Sequence, residues 1–181
     1  ICWCTRCGQL GPWSNATEMV DDDKLLILDE NDCRLKLGNA KVIAVDFDGT
    51  VVKSDWPRVG ENIPGAFEVL RELIRNGHKI ILHTQREHET VEEIEDVLQI
   101  ALDKLKEEGI SLYSINEFPA RDNKYYPSRK TYADIYIDDH NAMIPLVSWK
   151  NNKGVNLPYV DWIALDSWFV DNGFYEKRIL G

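Results

Sequence analysis

The sequence predicts an α/β protein built on a mostly parallel central sheet. Four short apolar stretches are typical of buried strands, and helical stripes of apolar residues separate the first three. This alternation favours parallel strands joined by right-handed crossovers. Polar residues follow three of the strands, at the sheet edge where such folds bind ligands. The predicted strands are residues 42–45, 79–84, 110–115 and 132–137.

Turn and capping signals mark where the predicted helices begin and end. Pro64 suits the first turn of one helix, and the pair Asn76-Gly77 ends it. Residues 90–93, Thr-Val-Glu-Glu, fit a capping box, so a second, long helix is predicted from there to about Gly109. Its many Glu and Lys residues indicate a solvated outer face.

Composition separates two parts of the chain. Residues 1–38 form a predicted extension, in which a cysteine-containing loop precedes a β-hairpin over residues 24–37. Residues 39–181 form the predicted α/β core. The last part of this core holds a fifth short strand at residues 146–149 and a helix that ends at Gly173.

The overall composition narrows the class of protein. The chain has 181 residues, of which 44% are hydrophobic, enough for one domain with a modest appendage. No apolar run approaches membrane-spanning length and no signal-peptide pattern opens the chain, so a soluble, cytoplasmic protein is expected. The net charge of −10 argues against broad nucleic-acid binding, which needs a cationic surface, although it leaves room for a local basic pocket.

The most informative stretch is the end of the first core strand, where Asp46 and Asp48 are followed by Gly49 and Thr50. Two carboxylates at this spacing repel each other unless a cation lies between them. A divalent metal ion is the usual resolution, because hard cations prefer carboxylate oxygens. The alternative is a simple acidic turn, since Asp-Gly is a common turn pair.

Further polar residues are predicted at the same edge of the sheet. Thr84 ends the second strand, the pair Asp138-Asp139 ends the fourth, and Lys130 precedes that last strand. Each of them alone has a plainer interpretation, as a strand-end cap, a turn or a solvated lysine. The convergence of three polar strand ends on one edge favours a functional site.

This order of motifs resembles the haloacid dehalogenase superfamily. The matching features are Asp-x-Asp-Gly-Thr at residues 46–50, a strand ending in Thr84, then Lys130, then the acidic pair at 138–139. The resemblance covers roughly residues 40–145. It implies a Rossmann-like, three-layer fold, a bound Mg²⁺ ion and phosphoryl transfer through an aspartyl-phosphate.

The resemblance also implies a role for each catalytic residue. Asp46 would be the nucleophile that attacks phosphorus. Asp48 would protonate the leaving-group oxygen and later activate water, as general acid and then base. Thr84 would donate a hydrogen bond to a phosphoryl oxygen, and Lys130 would pair with both the phosphate and the nucleophile.

Metal and substrate contacts follow from the same resemblance. Mg²⁺ would bind Asp46, the backbone carbonyl of Asp48 and the acidic pair, with Asp139 in direct contact and Asp138 as an outer or water-mediated partner. Gly49 and Thr50 would lie against the substrate phosphate. Gly49 lets the backbone turn close to it, and Thr50 would hydrogen-bond within the loop.

The chain has little room for a lid domain. The intervals between motifs hold single helices, one strand and loops, which indicates a capless family member with an open cleft. Residues 83–87, His-Thr-Gln-Arg-Glu, resemble the second motif of the phosphatase half of phage polynucleotide kinase-phosphatases. Arg86 would then hold a substrate phosphate, and a structural pairing with Glu87 or Glu89 is the alternative.

The expected function is that of a Mg²⁺-dependent phosphatase acting on phosphomonoesters. Nucleotides or nucleic-acid ends are candidate substrates, and no membrane partner is expected. Two alternatives stay open: a non-catalytic binding or scaffold protein on the same core, and a phosphotransferase. The intact motif set argues against a scaffold, because a decayed site would be expected to lose at least one motif residue.

The cysteines allow a second metal site. Cys4 and Cys7 have the spacing of a zinc knuckle, and Cys2 and Cys33 would complete a four-cysteine structural Zn²⁺ site. The usual second closely spaced pair is missing. Thiols without metal on a leader segment are therefore the alternative.

Overall fold

A computed structural model of the chain describes residues 2–3, 10–11, 40–119, 130–151 and 153–180. The chain divides into two compact units, Ile1–Ala40 and Lys41–Gly181. In the first unit, strand β1 (Cys2–Trp3) pairs antiparallel with β2 (Leu10–Gly11). The predicted hairpin and the Cys4, Cys7 and Cys33 thiols lie outside the described residues, and only the backbone of Cys2 is described. The zinc site therefore stays a prediction.

The second unit is built on a four-stranded parallel sheet, which confirms the predicted α/β fold. Ile43, Ala44 and Val45 of its central strand are at most 3% exposed, as expected of a parallel strand covered on both faces. The strands are β3 (Val42–Val45), β4 (Lys79–Leu82), β5 (Leu112–Ile115) and β6 (Ile135–Ile137). Their order in the sheet is β5-β4-β3-β6, so the carboxyl ends of β4, β3 and β6 lie side by side.

Among the described residues, three helices accompany the sheet: α1 (Ala66–Arg75), α2 (Val97–Glu107) and α3 (Trp162–Asp171). The first buries Phe67, Leu70 and Leu73 and contacts both β4 and α3. It ends at Asn76-Gly77, as predicted. No helix in the described part of the chain is long and apolar enough to cross a membrane.

The start of α2 differs from the prediction. The proposed capping box is not helical, because Val91 and Ile94 exchange backbone hydrogen bonds of 3.0 Å. The helix begins at Val97, where the Asp96 carboxylate accepts the backbone N–H of Gln99 at 2.8 Å. Asp96 is a strong N-cap placed directly before buried apolar positions, and it sets the boundary that the sequence pattern placed too early.

The fourth core strand is shorter than predicted. The hydroxyl of Tyr136 donates to the carbonyl of Thr131 and accepts the N–H of Ala133 at 3.1 Å. These bonds hold the preceding residues in a turn around the tyrosine tip. The strand therefore begins only at Ile135, after the turn.

The predicted fifth strand does not join the main sheet. It is β7 (Leu146–Val147), and it pairs antiparallel with β8 (Tyr159–Val160) in a separate two-stranded sheet. The N–H of Val160 donates to the carbonyl of Gly49 at 3.0 Å. The small sheet is thereby attached to the loop that follows β3.

A buried carboxylate anchors the end of the described chain. Asp166 of α3 is fully buried, and it accepts the Tyr175 hydroxyl at 2.7 Å and the backbone N–H groups of Ile179 and Leu180 at 3.0 and 2.9 Å. These bonds satisfy its oxygens in the absence of water. Asp166 is thus a structural acid that takes no part in the cleft described below.

Candidate active site

Residues at the carboxyl ends of β3, β4 and β6 line one cleft of about 630 Å³. Asp46 and Asp48 follow β3, Thr84 follows β4, and the acidic pair 138–139 follows β6. A cleft of this size suits a small-molecule ligand. The structure thus brings together the polar strand ends that the sequence placed at one edge.

The loop after β3 is locked against its neighbours. The fully buried Thr50 places its hydroxyl oxygen 3.1 Å from the donating N–H of Asp139 and 3.5 Å from Asp46 Oδ2. The indole N–H of Trp162 donates to the carbonyl of Thr50 at 2.6 Å. Gly49 has a φ of 77°, and a Cβ there would lie 2.5 Å from Asp139 Oδ2. Glycine is required because the backbone passes so close to this carboxylate.

Asp46 lies in a strongly acidic environment. Its pKa is raised to about 7, chiefly by burial and further by the negative charges of Asp138, Asp48 and Asp139, while the backbone N–H of Phe47 lowers it. Its hydrogen bond from the Thr50 hydroxyl is long, at 3.5 Å, so this contact contributes little to the charged form. The carboxylate therefore favours a proton or an added cation beside it.

Asp48 has a different environment, because Arg86 holds both of its oxygens. Arg86 Nε donates to Asp48 Oδ2 at 2.7 Å, and Nη2 donates to Oδ1 at 2.8 Å. The remaining N–H groups of Arg86 donate to the carbonyls of Pro57, Arg58 and Val97 at 2.8–3.0 Å. The Arg86 side chain is 1% exposed. All five of its donors are used within the chain.

This position differs from both sequence-based expectations for Arg86. Arg86 forms its ion pair with Asp48, rather than with Glu87 or Glu89. A substrate phosphate would have to replace one of its internal hydrogen bonds. The bidentate geometry instead fits the orientation of a carboxylate.

Asn116 is a site residue that the sequence reading missed. Its side chain accepts the N–H of Thr84 and donates to the carbonyl of Thr84, both at 2.9 Å. The Thr84 hydroxyl accepts the N–H of Arg86 at 3.2 Å, which leaves its proton to donate elsewhere. Asn116 directly follows β5, so a polar residue at a fourth strand end was the signal available in the sequence.

His140 also joins the site. Asp138, Asp139 and His140 offer ligand atoms that all lie within 4.8 Å of one another. His140 Nδ1 lies 2.9 Å from Asp139 Oδ1, and the His140 backbone N–H donates to Asp138 at 2.8 Å. The Asp139 carboxylate raises the pKa of His140, while burial raises the pKa of Asp139. The histidine therefore orients the acid that the sequence assigned to direct metal contact.

Lys130 has a different position from the other motif residues. It is exposed and lines a neighbouring groove beside β6, together with His83 and Tyr136. His83 lines both this groove and the cleft that holds Asp46. The pairing of Lys130 with Asp46 and a phosphate stays a prediction.

Comparison with known proteins agrees with this arrangement. A family model described as haloacid dehalogenase-like hydrolase matches residues 43–148, more than half of the chain. The chain belongs to this family. A conserved protein from Bacteroides thetaiotaomicron of solved structure is 32% identical to this haloacid dehalogenase-like hydrolase, with a TM-score of 0.53. The match covers 79% of this chain and 99% of that one. None of the curated proteins matches the chain significantly.

The donor set of this hydrolase fits a hard divalent cation. Asp46, Asp48, Asp138 and Asp139 line one cleft and supply carboxylate oxygens, the ligands that Mg²⁺ prefers. The pKa of Asp46 is raised first by burial and then by these neighbouring carboxylates, so a bound cation would stabilise its charged form. These residues would hold the ion between the ends of β3 and β6.

Proposed function

We propose that this hydrolase is a Mg²⁺-dependent phosphatase that cleaves phosphomonoesters through an aspartyl-phosphate on Asp46. The observation that carries the proposal is the difference between its two aspartates. Asp46 faces three further carboxylates and has a pKa raised to about 7, whereas Asp48 is held by Arg86 at 2.7 and 2.8 Å. One carboxylate is thus placed to receive a cation and a phosphate, and the other is fixed beside it.

Each chemical step has a residue to perform it. An Asp46 oxygen forms a bond to phosphorus while the bond from phosphorus to the leaving-group oxygen breaks, and Asp48 gives that oxygen a proton. Asp48 then takes a proton from water, which attacks phosphorus and releases Asp46. A bound Mg²⁺ ion would offset the charge of the phosphate and the surrounding carboxylates.

Thr84 and Arg86 complete the proposed machinery. The Thr84 hydroxyl keeps its proton available for a phosphoryl oxygen, because its oxygen accepts the N–H of Arg86. Arg86 is a positioning residue that fixes Asp48, rather than a ligand of the phosphate. Lys130 would approach the phosphate from the neighbouring groove, with Gly49 and Thr50 shaping the loop beneath it.

The substrate is proposed to be a small phosphomonoester. The capless organisation inferred from the motif intervals leaves the cleft open, and nucleotides are candidate substrates. The likeness of residues 83–87 to phage polynucleotide kinase-phosphatases adds nucleic-acid ends as candidates. The net charge of −10 favours a single phosphomonoester over a long polyanion.

Replacement of the nucleophile tests the proposal. Asp46→Asn keeps the shape of the side chain but removes the attacking oxygen anion, so we expect phosphate release from 4-nitrophenyl phosphate with Mg²⁺ to be abolished. Asp171→Asn, at the exposed end of α3, is the matched control and should retain wild-type activity. Chelation should remove activity and Mg²⁺ should restore it. Full activity of Asp46→Asn would contradict the mechanism.

The alternatives give different results in the same assays. A folded wild-type protein that releases no phosphate from nucleotides, 3′-phosphorylated oligonucleotides, sugar phosphates or phosphopeptides would favour a binding or scaffold protein. Transfer to an added alcohol in excess of hydrolysis would identify a phosphotransferase. A chelated sample serves as the blank for both measurements.

A further inference from the structure

The candidate active site has two chemically distinct parts. Its floor consists of the carboxylates and Thr84 at the strand ends, where the phosphate and cation belong. Trp56, Leu157 and Pro158 supply the apolar lining of the same cleft. The phosphate chemistry proposed above makes no use of these three side chains.

Trp56 is unusual among them because it is large and remains exposed. Its relative exposure is 48%, although one face of its ring is covered. The guanidinium carbon of Arg86 lies 5.0 Å from the centroid of the Trp56 ring and 5.1 Å from that of Phe47. The guanidinium therefore makes cation–π contacts with one buried ring and one exposed ring.

The support behind Trp56 is fixed in position. Arg86 is bonded to Asp48 on the cleft side and to the carbonyls of Pro57, Arg58 and Val97 behind it. Two of these carbonyls belong to the residues directly after Trp56. The backbone next to Trp56 and the guanidinium against its ring are thus both fixed, so a ligand would need little further ordering of this side chain.

We propose that Trp56 is the platform on which a planar ring of the substrate's leaving group stacks. The proposal rests on the phosphatase function above and adds a substrate class, a phosphomonoester that carries an aromatic ring such as a nucleobase. Leu157 and Pro158 would contribute apolar contact to the same ring. Stacking suits this wall because any aromatic ring has a flat face that can contact indole.

Two substrates that differ in whether they carry an aromatic base provide the test. Adenosine 5′-monophosphate and ribose 5-phosphate present the phosphate on the same kind of alcohol, with and without a base. We expect Trp56→Ala to lower kcat/KM for adenosine 5′-monophosphate about tenfold, mainly through KM, since one stacked base contributes about 1–3 kcal/mol. Hydrolysis of ribose 5-phosphate should fall by clearly less, because this substrate has no base to stack and is affected only through the contact of Trp56 with Arg86. Trp56→Phe should recover most of the loss.

The controls separate stacking from a general loss of structure. Trp168→Ala replaces a tryptophan of similar exposure on α3, outside the cleft, and should leave the ratio of the two substrates unchanged. An equal effect of Trp56→Ala on both substrates, or no effect on either, would overturn the proposal. A loss that Trp56→Phe fails to recover would also overturn it.

A binding measurement keeps the two proposals separate. If the wild-type protein hydrolyses neither substrate, calorimetric titration with adenosine alone still tests the platform. Binding to the wild type and to Asp46→Asn, with loss in Trp56→Ala, would support stacking although the phosphatase function had failed. Absence of adenosine binding to the wild type in that case would overturn the platform as well.

Discussion

Asp48 and Arg86 lie 38 positions apart in the sequence, and their side chains meet through two hydrogen bonds of 2.7 and 2.8 Å. This pairing limits the role that each of the two residues can take. Asp48 gains a fixed orientation beside Asp46, as a residue that moves a proton at a defined place requires. Arg86 has no N–H donor left for a phosphate, because all five donate to acceptors within the chain.

A lysine at position 86 tests this positioning role. Arg86→Lys keeps the charge but loses the bidentate fork, so Asp48 should donate its proton less well. We expect kcat/KM for phenyl phosphate to fall by about tenfold or more, and that for 4-nitrophenyl phosphate to fall much less, since its leaving group needs little protonation. Steady-state kinetics with the two aryl phosphates makes the comparison.

The paired substrates distinguish positioning from simple damage to the fold. Arg75→Lys, at the exposed end of α1, is the matched control and should affect neither substrate. Thermal melting of Arg86→Lys reports on its buried carbonyl contacts separately. Equal losses on phenyl and 4-nitrophenyl phosphate would reject a role in proton transfer.

At the scale of elements, caps and loop anchors place the site. α2 starts at Val97 because Asp96 accepts the N–H of Gln99, and the carbonyl of Val97 in turn accepts Arg86. Trp162 at the start of α3 likewise holds the carbonyl of Thr50 in the loop after β3. Residues at the starts of two helices therefore hydrogen-bond directly to residues of the cleft and its loops.

Removal of the Asp96 cap tests the observed start of α2. Asp96→Ala leaves the N–H of Gln99 without its acceptor, and the negative charge at the helix N-terminus is lost. We expect the Tm to fall by a few degrees in differential scanning calorimetry. Glu93→Ala removes the acid of the predicted capping box and should leave Tm unchanged. A larger fall in Tm for Glu93→Ala than for Asp96→Ala would contradict the start of α2 at Val97.

At the scale of the whole molecule, the fold concentrates negative charge at one end of its sheet. Strand ends separated by about ninety residues bring Asp46, Asp48, Asp138 and Asp139 into one cleft. The pKa of Asp46 is raised from 3.8 to about 7 as a result of burial and these neighbours. Ionisation of Asp46 therefore costs folding free energy unless a cation is bound.

The free-energy cost of ionising Asp46 in the folded state predicts how the stability of the protein depends on pH. Between pH 3.8 and about 7 the folded state holds a proton on Asp46 that the unfolded state has lost, so the free energy of unfolding falls as pH rises through that range. Above it the cost is fully present, on the order of a few kcal/mol. In chelator, Asp46→Asn should therefore be more stable than the wild type at pH 8, and the difference should be smaller at pH 5.

Urea denaturation at the two pH values, with and without Mg²⁺, measures this effect. Mg²⁺ should stabilise the wild type at pH 8 and should stabilise Asp46→Asn much less, because ligand binding to the folded state adds to its stability. A wild type that is as stable as Asp46→Asn at pH 8 in chelator would contradict the assigned cost. Asp171→Asn again serves as the neutral control.

The parallel sheet and the family follow from the pattern of the sequence alone. Apolar runs such as 42–45 specify strands because a parallel strand is buried on both faces, and the residue that follows each run must lie at the carboxyl edge of the sheet. Asp46, Asp48, Thr84 and the pair 138–139 were predictable for this reason. Their position depends only on strand direction and on their place at a strand end.

The partners that these residues contact depend on how the elements pack in three dimensions. The bond between Arg86 and Asp48, the support of Thr84 by Asn116 and the approach of Trp162 to Thr50 join residues from different elements. Local patterns also misplaced the start of α2, because Thr90 and Asp96 both carry the signal of an N-cap. Such contacts depend on the distances between packed elements, and hydrophobic periodicity specifies burial without specifying those distances.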